Sequence, residues 1–192
     1  LYQVNRMNNS INAYSNVNAS IQQGIMPPLT ATSSAEFSNG REIAISGDKM
    51  VIAQDGNSAN GNQNQFVWFN FSPTGFTFID RLEVDFNLWG IHADENTLYA
   101  IEDNSNRLAI FDDFFNQADA DIQLPFFVEI EGIVRTHGLT YVADRDMMIL
   151  TDVGAASSAA DGAFTIIKDF KTASADGTVS LGEQIRVAGD AT

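Results

Sequence analysis

The chain contains no cysteine among its 192 residues, which excludes disulfides and thiolate chemistry and removes any redox clue to its compartment. Histidine occurs only as His92 and His137, too few for histidine-rich metal chemistry. Basic residues are scarce: 10 Lys and Arg face 25 Asp and Glu, a net charge of −15. That balance disfavours nucleic acid and anionic lipid as partners and suits a cationic ligand or a cation-rich exterior. No apolar run approaches the length of a membrane span. There is no Ser-His-Asp order with a nucleophile elbow, no phosphate-binding loop and no His-x-x-x-His pair, so no catalytic residue is assigned. Helical periodicity is missing too, apart from a turn near Ala118–Ala120.

What remains is the material of an ordered β protein: 44% hydrophobic residues, 14 of them Phe, with only 18% charged. From Leu98 to Phe114 the chain reads as two short strands around a polar turn. Tyr99 and Ile101 alternate with Ala100 and Glu102, Leu108 and Ile110 alternate with Ala109 and Phe111, and Asp103-Asn104-Ser105-Asn106 supplies turn residues that bond their own backbone. The same hairpin opens the chain, where Tyr2 matches Tyr99, Val4 matches Ile101, Ile11 matches Leu108 and Tyr14 matches Phe111. Two more copies follow Met50 and Met147. The residues closing the first strand of each hairpin are Arg6, Asp55, Asp103 and Asp152, at steps of 49, 48 and 49. A near-constant step marks a repeat architecture.

Ahead of three hairpins stands a glycine, then a strand, then a turn: Gly40 to Lys49, Gly90 to Asn96 and Gly138 to Asp146. A further apolar run precedes the glycine in two units, Phe76 to Val84 and Ile122 to Ile130. Each unit therefore holds four short antiparallel strands, A to D in chain order, which is the content of a β-propeller blade. The fold class expected is all-β, a β-propeller of about four four-stranded units of about 48–49 residues.

Gly90 to Asp112 resembles the NHL-type repeat, in which a glycine-led strand, an Asp-rich turn, a Leu-Tyr-Val-x-Asp strand and an Arg-Ile-x-x-Phe-Asp strand recur. Gly138 to Asp152 matches its first half. The resemblance implies a propeller of the NHL and gluconolactonase-like group, with about six to eight blades in a full ring. Such repeats occur in binding scaffolds and beside lyase and lactonase propellers alike, so the fold does not fix the activity.

The unit boundaries expected are 1–17 (a C–D hairpin), 18–71, 72–114, 115–170 and 171–192, with a weakly marked strand around Ile25 to Thr32 and a last strand over Val179 to Val187. Pro125 belongs at an edge or bend, because it cannot donate to a ladder. Residue 1 already lies inside a repeat, so the chain is expected to be a mature or trimmed piece of a larger propeller. Its open sheet edges offer a route to self-association. The acidic, cysteine-free, Asn- and Ser-rich composition points to a secreted or cell-surface bacterial protein, extracellular or periplasmic.

Alternation places the long C–D loops (55–65 and 152–162) at the same end as the A–B segments. That end gathers Asp55, Asp103 and Asp152 with Arg41, Trp89, Arg135 and His137, and loops on a rigid scaffold are where recognition resides. Each has a structural reading as well: an Asp recurring at strand ends caps the following turn, Trp89 fits between blades, and His137 serves as a hydrogen-bonded strut. Asp55 and Asn57 open a loop with oxygen ligands at odd spacing, loosely like a Ca²⁺ loop but without its closing glutamate. Glu129 and Glu131 share one side of their strand and would hold a divalent ion if that side met a central channel, in the manner the gluconolactonase resemblance implies. The function expected is a non-catalytic scaffold that binds a protein or glycan partner through its loop face. A metal-dependent hydrolase or lactonase, and a self-assembling structural repeat, are the alternatives.

Overall fold

The structure is a computed structural model and describes residues 1–116, 124–155, 157 and 162–188. The helical turn expected near Ala118–Ala120, the start of the strand expected from Ile122 and part of the 152–162 loop lie outside the described residues.

The chain folds as two compact units, Leu1–Asp85 and Phe86–Thr192. In the first, β1 (Tyr2–Asn5), β2 (Ser10–Tyr14) and β3 (Leu29–Thr32) form one antiparallel sheet, and β4 (Gly40–Ser46), β5 (Lys49–Gln54), β6 (Gln65–Ser72) and β7 (Gly75–Glu83) form a second in chain order. In the second unit, β8 (Leu88–Asp94), β9 (Thr97–Glu102), β10 (Arg107–Phe111) and β11 (Phe126–Ile130) make one sheet. Its partner sheet runs β12 (Thr136–Val142), β13 (Met147–Asp152), β14 (Ala163–Lys168) and β16 (Gln184–Ala188). A short β15 (Thr178–Val179) pairs parallel to β11. The fold is all-β and of β-propeller type, with four blade-like antiparallel sheets, two in each unit.

The hairpins pair as the alternation requires: Val4 opposite Ile11, Ile101 opposite Leu108, and Ile52 opposite Val67. The grouping of strands differs from the expected frame by one. The run ahead of each glycine, expected to begin a blade, instead closes the preceding one: β7 pairs with β6, β11 with β10, and β3 with β2. Alternation fixes which face a residue takes but not which sheet edge its strand joins, so the sequence left that choice open.

The last strand is also different. Val179 to Val187 is broken by a 3₁₀ turn at Leu181–Glu183, in which the Glu183 carboxylate accepts from both the backbone N–H and the hydroxyl of Ser180 at 2.8 Å. The break sends Val179 to one sheet of the unit and Ile185 to the other. A seven-residue helix, α1 (Val17–Gln23), lies where no helical periodicity was expected, between Asn16 (φ 50°) and Gly24 (φ 66°), both left-handed. Pro125 falls immediately before β11, where its missing N–H costs no ladder bond.

Two apolar clusters hold the units. In the first, Ile11 and Phe37 pack with Met50, Ile52, Val67 and Phe69, and Tyr2 meets Phe71 edge-on at 4.9 Å. In the second, Tyr99, Ile101, Leu108 and Val128 of one sheet pack on Tyr141, Met148, Leu150 and Ile167 of the other. The glycines heading the strands serve this close packing: a Cβ on Gly40 would sit 2.7 Å from the Phe37 ring and 2.9 Å from Val4.

Candidate functional site

At the head of β4, β8 and β12 the pairing slips. The register shifts between Gly40 and Glu42, between Leu88 and Ile91, and between Thr136 and Gly138. The residues in these bulges are Arg41, Trp89 with Gly90, and His137, recurring at a step of 48. A bulge bends the strand and re-aims the extra side chain, and such positions concentrate at functional rims. Each bulge lies beside the end of its neighbouring strand, where Asp55, Asp103 and Asp152 stand.

In the first unit Asp55 is nearly buried and serves as a hub. Its Oδ2 accepts from Arg41 Nε (2.9 Å) and Nη2, and from Asn39 Nδ2 (3.1 Å). Asn39 Oδ1 in turn accepts from Arg6 Nη2. The following loop is knitted to itself: Asn57 Oδ1 accepts from the N–H groups of Ala59 and Asn60, the Asn57 N–H donates to Asn60 Oδ1, and the Gly56 N–H donates to Asn64 Oδ1. The oxygens expected as Ca²⁺ ligands thus close a capped 3₁₀ turn, Ser58–Asn60, and neutralise an arginine.

In the second unit the indole of Trp89 lies flat against the imidazole of His137, with centroids 4.5 Å apart and planes 17° from parallel. The two rings come from neighbouring sheets, β8 and β12, and both are partly exposed. Asp103 Oδ1 sits 3.8 Å from His137 Nε2, within ion-pair range of a protonated imidazole, and accepts from the Asn104 N–H at 2.8 Å. Trp89 bridges the two sheets of this unit, and the histidine expected as a hydrogen-bonded strut is its stacking partner.

Asp152 has a buried carboxylate with four donors. Oδ1 accepts from the N–H groups of Arg135 and Gly154, each at 2.9 Å, and Oδ2 from the Val134 N–H (3.2 Å) and Arg186 Nη2 (3.0 Å). Burial alone would raise its pKa, but these hydrogen bonds together outweigh burial and hold the carboxyl below its ordinary value. Arg135 joins the site through its backbone, while its Nε is buried without a hydrogen-bond partner among the described residues.

Glu129 and Glu131 require correction. β11 is the fourth strand from β8, and it is β8 and β12 that lie against each other. Glu129 therefore projects from an outer strand, and Glu131 lies beyond its end, where Oε2 accepts from the Leu181 N–H at 3.1 Å. Neither residue stands on an inner strand, and Glu131 holds the 180s turn instead. Among the described residues, no group of three or more His, Cys, Asp and Glu side chains is placed to hold a metal ion.

Two features escaped sequence reasoning. Arg186, the side-chain partner of Asp152, is 34 residues away and no local pattern links them. At the other end of β9, a cleft of about 290 Å³ opens among Tyr99, Phe126, Phe170 and Lys171. It is small beside the roughly 300–1,000 Å³ of ordinary ligand pockets.

No family profile matches the chain, and no curated protein does. Solved structures do resemble it. A protein from Lactobacillus plantarum matches with a TM-score of 0.56 at 12% identity, over 88% of this chain and 47% of that one. A luciferin-regenerating enzyme matches with a TM-score of 0.50 at 9% identity, over 86% of this chain and 60% of that one. The chain thus spans about half the length of these neighbours, and at such identities the likeness is one of propeller fold.

Proposed function

We propose that the chain is a non-catalytic binding module of NHL-type repeats, secreted or displayed at a bacterial cell surface, which takes a glycan or protein partner on its loop-rich end. The Trp89–His137 pair carries this reading. Two stacked rings, partly open to solvent and held from two sheets, form a rigid aromatic element that loses little entropy on binding. With the Asp103 carboxylate beside them, they suit the apolar face of a sugar ring whose hydroxyls need acceptors, which favours a glycan. The two aspartates of the same unit support the reading in another way: the oxygens of Asp103 and Asp152 hold the turns that follow β9 and precede β12.

A metal-dependent hydrolase or lactonase of the gluconolactonase type is the second reading, favoured by the luciferin-regenerating enzyme among the fold neighbours. It calls for converging carboxylates, and the outward placement of Glu129 and Glu131 sets it behind the first.

The test is retention on a glycan array by the native chain and by Trp89→Ala, with circular dichroism confirming the fold of both. Binding by the native chain that weakens at least about tenfold in the variant is the expected result, as for truncation of an aromatic hot spot. Retention unchanged by the substitution would remove the ring pair from recognition.

A further inference from the structure

The cleft at the Thr97 end of β9 lies within the second unit, between strands β9, β10 and β11 and a short helix, α2 (Phe170–Ala173). Asp146 fixes the start of that helix. Its carbonyl accepts from the Phe170 N–H at 2.9 Å, and its carboxylate accepts from the Lys171 N–H at 3.2 Å and from the Tyr141 hydroxyl at 2.8 Å. Phe170 is thereby held edge-on to Tyr99, with ring centroids 6.2 Å apart.

Tyr99 and Tyr141 are both buried, with rings 5.2 Å apart, but their hydroxyls fare differently. Tyr141 donates to Asp146. Tyr99 is only 3% exposed and lines the cleft, and its hydroxyl has no hydrogen-bond partner among the described residues. A buried phenol normally finds a partner, and one left without calls for an explanation. Burial, with Asp94, Asp112 and Asp146 close by, raises its pKa, so the group stays protonated and remains a donor at neutral pH. What it lacks is an acceptor that reaches into the cleft.

The rest of the wall divides by chemistry. Ile110, Phe126 and Phe170 make an apolar side, and Phe126 is 47% exposed. Asp112 and Lys171 line the same space with opposite charges, which form no ion pair with each other among the described residues. Opposite charges that do not neutralise each other can engage the two ends of a ligand that carries both. We propose that the cleft binds a free α-amino acid with an apolar side chain. The ammonium of the ligand meets the Asp112 carboxylate, its carboxylate takes the Lys171 ammonium and the Tyr99 hydroxyl, and its side chain lies against Ile110 and Phe126. A volume of about 290 Å³ suits a ligand of that size rather than a peptide or a sugar chain. The Trp89–His137 pair stands by the opposite end of β9, where Leu88 pairs with Glu102, so this site is separate from the aromatic one.

Calorimetric titration of the chain with L-leucine and L-phenylalanine tests the site, with phenethylamine and hydrocinnamate as probes that keep the ring but only one of the charges. An amino acid should bind, and each one-charge probe should bind at least about tenfold more weakly, as for loss of a charge-assisted hydrogen bond. Lys171→Met should weaken amino-acid binding by about tenfold, and Tyr99→Phe should weaken it too. Because the Tyr99 hydroxyl holds no other part of the fold, the melting temperature of Tyr99→Phe without ligand should match that of the native chain, which separates a binding role from a structural one. No heat with either amino acid at millimolar concentration, binding of phenethylamine or hydrocinnamate equal to that of phenylalanine, or amino-acid binding that both substitutions leave unchanged would each overturn the proposal.

Discussion

Asp152 shows how a single recurring residue carries structure. Its carboxylate is buried and receives three backbone N–H groups and one guanidinium, so truncation leaves four donors unmet. Asp152→Ala should destabilise the chain by about 3–5 kcal/mol in urea titration, as expected when one partner of a buried ion pair is removed. Its folded pKa lies below the ordinary carboxylate value, so its stabilisation is present above that value and lost as pH falls through the lower folded one. His92 acts in a higher window. Burial lowers its pKa, opposed by a hydrogen bond to the Tyr141 carbonyl and by Asp94. The folded state therefore disfavours the imidazolium, and stability should decline as pH falls from the ordinary imidazole value toward the lower folded one. His92→Gln should flatten that part of a pH series of melting temperatures. The recurrence of Asp55, Asp103 and Asp152 was legible in the sequence because it follows the repeat. That Arg41 shares the end of Asp55 was legible from the strand order, whereas Arg186 was not, since it reaches Asp152 through strand pairing at a separation no local pattern marks.

Among the elements, the bulged first strand is the recurring device. It positions Arg41, Trp89 and His137 at successive sheets, and the glycines near it allow close approach where a side chain would clash. A Cβ on Gly40 meets the Phe37 ring and Val4, and one on Gly138 comes within 2.8 Å of Thr151 Oγ1. Gly40→Ala should cost about 1–3 kcal/mol by overpacking, measurable by thermal unfolding. The hairpins were legible because apolar residues alternate over whole strands and polar turns punctuate them. Strand membership was not. A run such as Phe76 to Val84 has the same pattern whether it opens one blade or closes the last, and only the pairing of β7 with β6 decides. The split of Val179 to Val187 had a signal that the apolar alternation masked: Ser180 followed three residues later by Glu183 is a capping box.

The whole molecule repeats one sheet four times and varies its rims. The repeated cores serve stability, while the bulged ends carry one aromatic pair and a set of self-bonded loops. That division separates the two readings of function. If the aspartates tie down loops, a divalent ion adds nothing to the folded state; if they ligate an ion, binding raises stability by mass action. Thermal unfolding in EDTA against added Ca²⁺, Mg²⁺ or Zn²⁺ distinguishes these cases without knowledge of any ligand. For a binding scaffold whose carboxylates are occupied by arginines and backbone N–H groups, the melting temperatures should agree, while Asp152→Ala should melt well below both. A rise of several degrees with one ion would contradict that assignment and bring the hydrolase reading to the front.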